Sequence, residues 1–101
     1  MFTELMTSGS GGGSWESSTL SVTIPANGSY TTSIVTTNKS VYIASYYNNA
    51  RIAALVYDGT VLDSTVKNYI SISVSSSSKK IVLSSTLTSA IPLTLHVYTQ
   101  G

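Results

Sequence analysis

The sequence predicts an all-β fold, an antiparallel two-sheet sandwich or jelly roll of seven to eight short strands. Apolar and polar residues alternate with a period of two in several segments, as they do in strands with one buried face. Thr, Val, Ile, Ser and Tyr dominate these segments, and apolar residues at helical spacing are missing. Turn-forming residues recur at intervals of about ten residues, which is typical of sandwiches.

The first two strands follow from alternation and turn chemistry. Leu20, Val22 and Ile24 alternate with hydroxyl residues, and the Pro-Ala-Asn-Gly sequence at 25–28 closes this strand. Residues 30–37 are rich in β-branched side chains and are predicted to form the second strand, which ends at an Asn-Lys turn.

The next two strands differ in pattern. Residues 41–47 place Val41, Ile43 and Ser45 on one face and Tyr42, Ala44 and Tyr46 on the other. Residues 51–57 are almost continuously apolar, which predicts a central strand covered on both faces. Asp58-Gly59 then predicts a two-residue hairpin, because both central residues of that turn need positive φ.

The last strands are predicted at 67–74, 81–85 and 91–99, with a polar loop at 75–80. The final strand points Ile91, Leu93, Leu95 and Val97 inward and His96 and Tyr98 outward. Pro92, near its start, predicts an edge strand or a first-residue position because proline cannot donate to a ladder.

Composition excludes several classes of function. Only 9% of the 101 residues are charged, the formal net charge is +1, and Ser and Thr make up about a third of the chain. The five basic residues are scattered, which argues against a nucleic-acid partner. No stretch approaches the apolar length of a membrane helix, and no secretory signal is recognisable, so we expect no membrane partner and synthesis in the cytosol.

The sequence offers little for catalysis or metal binding. His96 is the single imidazole and is expected to be a solvated strand residue. No cysteine is present. Asp58 and Asp63, with Asn48 and Asn49, could supply oxygen ligands to calcium. We favour the simpler interpretation of a turn aspartate and an exposed strand aspartate, and predict no enzyme activity, catalytic residue, metal or cofactor.

Tyrosine is in excess, with seven residues. Its ring packs against proteins and sugars alike while the hydroxyl stays hydrated. Consecutive strand residues face opposite sides, so one of Tyr46 and Tyr47 must remain at the surface beside Asn48 and Asn49. We therefore predict Tyr46 and Tyr47 as partner-binding residues.

The N-terminal segment has the pattern of an anchor that attaches the protein to a partner. Residues 1–14 comprise a short apolar peptide and a Gly/Ser tether, and residues 15–101 form the β-sandwich head. Phe2, Leu5 and Met6 are the predicted partner-binding anchor. Ordering each tether residue costs about 1–2 kcal/mol, while burying each apolar side chain returns about 1.5–3 kcal/mol. One anchor therefore binds weakly, and we expect a homo-oligomer, a trimer or similar ring, that contacts through tyrosine-bearing faces.

Met1-Phe2-Thr3-Glu4-Leu5-Met6, followed by a glycine run and a β-rich head, resembles the start of small structural proteins of tailed bacteriophages. The resemblance covers about fourteen residues and the general β character. It implies a non-enzymatic virion protein, assembled in the host cytoplasm with other capsid or tail proteins as partners, and most simply a capsid decoration or accessory head protein. The alternative is a carbohydrate- or receptor-binding module of a tail or fibre, and a surface-filament subunit is a third interpretation.

Overall fold

The computed structural model describes residues 15–100, which form eight antiparallel strands in two sheets. The predicted all-β sandwich is confirmed. The predicted N-terminal arm, residues 1–14, lies outside the described residues, as does Gly101. The strands are β1 (Glu16–Ile24), β2 (Ser29–Val35), β3 (Ser40–Tyr47), β4 (Ala50–Tyr57), β5 (Thr60–Thr65), β6 (Ile70–Val74), β7 (Lys80–Ser85) and β8 (Ile91–Gln100).

The five-stranded sheet has the order β1-β8-β3-β4-β5, and the three-stranded sheet has the order β2-β7-β6. Alternate residues of both sheets meet in one core, because each strand turns every second side chain inward. The fully buried side chains include Ile24, Ile43, Ile81, Leu83 and Leu95. No helical segment among residues 15–100 is long and apolar enough to cross a bilayer.

Two tight hairpins join β3, β4 and β5. Asp58 and Gly59 have φ values of 46° and 84°, as the predicted Asp-Gly hairpin requires. Asn48 and Asn49 have φ values of 52° and 62°, so they form an equivalent two-residue turn between β3 and β4. Both turns exploit the tolerance of Asn, Asp and Gly for left-handed backbone.

The predicted central position of residues 51–57 is confirmed, but the predicted cover on both faces is only partial. β4 lies between β3 and β5, and Ile52, Ala54 and Val56 are buried against the core. On the other face, Arg51 and Tyr57 are exposed and Leu55 is half-buried. Among the described residues, no second sheet lies on that outer face. The sequence is apolar throughout because Ala53, which is small, and Leu55, which is half-buried, occupy the outward positions.

Two other strand predictions need correction. The strand predicted at 67–74 begins only at Ile70, after a turn closed by the Ile70 amide donating to the Lys67 carbonyl at 3.0 Å. Pro92 lies in neither an edge strand nor a first position, because β8 runs between β1 and β3. It is tolerated as the second residue because the β3–β8 pairing ends at Ala44 and His96, short of Pro92.

Candidate functional site

A group of large side chains lies on the outer face of the five-stranded sheet. It consists of Tyr42 and Tyr46 of β3, Arg51 of β4 and Tyr98 of β8, and we call it the tyrosine–arginine cluster. The strand register brings these residues together, because Tyr46 is directly opposite Arg51 and Tyr42 is directly opposite Tyr98. Such cross-strand neighbours lie close enough for their side chains to interact.

Hydrogen bonds hold the arginine within the cluster. Arg51 Nη2 donates to the Tyr42 hydroxyl at 2.8 Å, and Nη1 donates to the Tyr46 hydroxyl at 3.3 Å. The Tyr42 ring lies 6.2 Å from the Tyr98 ring, centroid to centroid, with a tilt of 37°. The Tyr42 hydroxyl, and after it the Tyr46 hydroxyl, raises the pKa of the Arg51 guanidinium above its ordinary value, so this group stays cationic.

The floor of the cluster is made of two small residues. Ala44 and Ala53 are paired across β3 and β4, on the rung between the Tyr46–Arg51 pair and the Tyr42–Leu55 pair. The diagonal bond from Arg51 to Tyr42 therefore passes over this alanine pair. Ala53 is only 5% exposed although it belongs to the outer face. Two methyl groups leave room for long side chains to lie flat along the sheet.

The structure separates the two predicted partner-binding tyrosines. Tyr46 is 65% exposed and belongs to the cluster. Tyr47 is half-buried and packs against the hydrophobic core, on the opposite face of β3 from the cluster, so its predicted role in partner binding stays a prediction. The predicted anchor residues Phe2, Leu5 and Met6 lie outside the described residues.

Sequence analysis missed the other members of the cluster, above all Arg51. The signal was present in Asn48-Asn49, since a two-residue hairpin loop fixes the register of the strands that it joins. Tyr47 must then pair with Ala50 and Tyr46 with Arg51, as observed. Tyr42 and Tyr98 could not be placed together in the same way, because β3 and β8 are joined by no local turn.

The cluster combines aromatic rings, phenolic hydroxyls and one fixed cation on an otherwise hydroxyl-rich face. The outward residues of β1, which are Ser17, Thr19, Ser21 and Thr23, are all exposed. Rings stack on sugars or fill protein contacts, and the guanidinium can donate to a carboxylate or carbonyl oxygen. The four side chains together offer aromatic surface, hydroxyl groups and one positive charge.

No family model, curated protein or solved structure matches this chain.

The residues considered for calcium do not converge. Asn48 and Asn49 lie before the first residue of β4 and Asp58 follows its last residue, so the eight-residue strand holds Asn49 and Asp58 about 30 Å apart. Asp63 is an exposed residue of β5. Within residues 15–100, no three His, Asp or Glu side chains lie close enough to share a metal ion.

Asp58 instead joins three loops at one end of the sandwich. Its Oδ1 accepts from the Asn38 amide at 2.9 Å and from Lys79 Nζ at 3.0 Å. Beside it, the buried Thr36 hydroxyl accepts from the Gly59 amide and donates to the Lys79 carbonyl, both at 2.9 Å. This loop junction ties the β2–β3, β4–β5 and β6–β7 connections together, which assigns Asp58 a structural role.

The Asp58 carboxylate should make stability depend on pH. Donation from the Asn38 amide, followed by the Lys79 ammonium, lowers the pKa of Asp58 below its ordinary value. A lowered folded-state pKa stabilises the fold above the unfolded-state pKa of about 4, and this contribution disappears as the pH falls through the folded-state value. Asp58→Asn preserves a residue suited to the turn but removes the charge. We expect the variant to melt below the parent at pH 7, and the difference to vanish in acid.

Thermal unfolding of parent and variant, followed by circular dichroism from pH 7 to about pH 2, measures this difference. Asp63→Asn is the matched control, because it removes the same charge from an exposed strand position. A deficit of Asp58→Asn that stays constant down to the lowest pH would contradict an electrostatic role for Asp58.

A concave feature lies on the three-stranded sheet. It is a shallow cavity of about 180 Å³ at the start of β6 and the end of β7. Amide, hydroxyl and ring groups line it, and the lining contains no acid, base or imidazole; the residues are Asn68, Tyr69, Ile70, Ser71, Ser84, Ser85 and Thr86. It lies on the other sheet from the tyrosine–arginine cluster.

Proposed function

We propose that this chain is a non-enzymatic structural component of a bacteriophage virion, a capsid decoration or accessory head protein. In this proposal residues 1–14 attach the protein to the particle, and the β-sandwich head lies at the particle surface. The tyrosine–arginine cluster then contacts a neighbouring virion protein. The observation that carries the proposal is the concentration of three tyrosines and one arginine on a sheet face that no other strand of residues 15–100 covers.

The composition of that cluster supports a protein contact. Tyr and Arg are enriched at the energetic centres of protein interfaces, and their contacts are strongest where water is excluded. Arg51 is already held by two tyrosine hydroxyls, so little side-chain freedom remains to be lost on binding. Tyr46 is 65% exposed, whereas Tyr42 and Tyr98 are half-buried, so Tyr46 is placed to be the central contact.

The small number of charged residues supports a place in a densely packed assembly. With 9% charged residues and a net charge of +1, neighbouring copies repel one another weakly. The exposed Ser and Thr residues of β1 continue this neutral surface to the margin of the five-stranded sheet. The anchor and tether sequence at residues 1–14 supplies the attachment that a surface component needs.

A carbohydrate- or receptor-binding module of a tail or fibre is the second candidate. The exposed Tyr46 ring beside the Arg51 guanidinium favours it, because aromatic rings stack on sugar rings and the cation can bind an acidic sugar. A glycan array distinguishes the two candidates. A decoration protein shows no saccharide-dependent binding. A carbohydrate module binds a defined saccharide, and the Tyr46→Ser variant no longer binds it.

Surface substitutions test the contact itself. We expect Tyr46→Ser and Arg51→Met to weaken attachment of the full chain to phage particles that lack it, at least tenfold, because the central ring or its fixed cation is lost. Co-sedimentation over a range of chain concentrations measures the change. Tyr57→Ser is the control, because Tyr57 is 49% exposed on the same face and forms no part of the cluster. Equal binding by all three variants would contradict a role for the cluster.

A further inference from the structure

The four edges of the two sheets are not alike. A sheet edge displays unpaired backbone groups, and proteins protect it with bulges, charges, prolines or short strands. The edge strands here are β1 and β5 in the larger sheet and β2 and β6 in the smaller one. Three of these edges carry such protection and one does not.

The edge at β5 is interrupted and charged. Its register with β4 shifts between Val61 and Asp63, so Leu62 is an extra, unpaired residue and is 59% exposed. The edge at β2 is also irregular, since its register with β7 shifts between Thr31 and Val35. The edge at β6 is only five residues long. Bulges and short strands of this kind prevent extended pairing with another chain.

The edge at β1 has no bulge and no proline, and its single charge is Glu16 at the first residue. Its nine residues pair with β8 in one unbroken register from Glu16 to Ile24. No residue from Ser17 to Ile24 is charged or proline, and none has positive φ. The strand is about 30 Å long. Among residues 15–100, no strand pairs with its second side, where alternate residues present their amide and carbonyl groups.

We propose that the β1 edge pairs with the β1 edge of a second copy of this chain. The two strands run antiparallel about a two-fold axis at Leu20, and the two five-stranded sheets join into one sheet of ten strands. The same surface serves both copies, which gives a closed dimer. The inference stands on the sheet edges alone and does not depend on the proposed virion role.

The register centred on Leu20 matches the faces of the two strands. Inward residues meet inward residues, so Leu20 lies opposite Leu20 of the second copy, and this half-buried side chain gains apolar cover. Outward residues meet outward residues, with Thr19 opposite Ser21 of the second copy. Pairs of hydroxyl residues across strands are favourable.

The register also separates the charges. The two copies of Glu16, the one charged residue of β1, lie at opposite ends of the junction. They are about 27 Å apart by the rise of a strand, well beyond the screening length of about 10 Å at 0.1 M salt. The junction therefore contains no like-charge contact, and the tyrosine–arginine clusters of both copies stay on the same outer face, accessible to a further partner.

A charge-exchange experiment tests the junction in the full chain. Thr19→Lys/Ser21→Lys places like charges opposite each other across the two-fold axis, and Thr19→Asp/Ser21→Asp does the same with negative charge. Like charges opposite each other destabilise a strand pair. We expect the parent to dimerise in sedimentation equilibrium, each double variant to dissociate with a constant raised at least tenfold, and a mixture of the two variants to form a heterodimer.

The control substitutes the residues of β8 that pair with Thr19 and Ser21 on the side away from the junction. His96→Lys/Thr94→Lys changes the exposed β8 partners of Thr19 and Ser21 on the same face, and should leave dimerisation unchanged. A monomeric parent at millimolar concentration would overturn the proposal, as would dimerisation that survives the double variants or that is lost in Tyr46→Ser instead. Dimerisation that occurs only after removal of residues 1–14 would also overturn it, because the chain's own N-terminal segment would then cover the edge.

Discussion

Replacement of Leu95 by alanine is expected to lower the free energy of unfolding by about 2–5 kcal/mol. Leu95 is fully buried in the core cluster and pairs with Leu20 across β1 and β8. β8 is flanked by β1 and β3, so the backbone around Leu95 cannot readily collapse into the space that is left. The loss of stability therefore includes the transfer free energy of the removed methyl groups and the free energy of the cavity that they leave.

Urea denaturation of parent and variant measures this loss. Thr94→Ala is the matched control, because Thr94 is the preceding residue and is exposed on the outer face. Its change should stay within about 0.5 kcal/mol. A loss of similar size in both variants, or a loss below half a kcal/mol in Leu95→Ala, would show that the inward and outward residues of β8 are assigned wrongly.

Gly59→Val should destabilise the fold by about 1–3 kcal/mol. Gly59 has a φ of 84°, where a β-branched residue is strongly disfavoured. An added Cβ would also lie 3.3 Å from the Lys79 side chain, which bonds Asp58. The valine therefore strains the β4–β5 turn and disturbs the loop junction together.

Gly59→Asn separates these two effects, because asparagine tolerates the left-handed region far better than valine while still adding a Cβ. Thermal unfolding should rank the parent highest, Gly59→Asn in the middle and Gly59→Val lowest. Equal midpoints for the parent and Gly59→Val would contradict the turn geometry at Gly59.

The strands were predictable where one face alone is buried. In β8 the buried residues Ile91, Leu93, Leu95 and Val97 alternate with exposed ones, and burial of a single face imposes that period. β4 was misjudged because Ala53 and Leu55 are apolar on the outer face. Ala53 is nonetheless only 5% exposed, a degree of burial that residue hydrophobicity alone does not predict for an outward position.

The candidate site was predictable only in part. The period of two required Tyr46 and Tyr47 to face opposite sides, and the structure exposes Tyr46 and packs Tyr47 on the core. Arg51 was not predicted, although the register set by the Asn48-Asn49 hairpin would have placed it opposite Tyr46. Tyr98 could not be assigned to the cluster from sequence, because its neighbour Tyr42 is distant along the chain and their pairing depends on the sheet order.

The most direct test of the proposed function compares the full chain with a chain that lacks residues 1–14, in co-sedimentation with phage particles that lack this protein. The core residues of the described head all lie between Val22 and Val97, so the shortened chain should still fold, and its circular dichroism checks this. We predict that the full chain sediments with the particles and that the shortened chain stays in the supernatant. A full chain that stays in the supernatant would contradict the virion role, and a shortened chain that sediments as well as the full one would contradict attachment through residues 1–14.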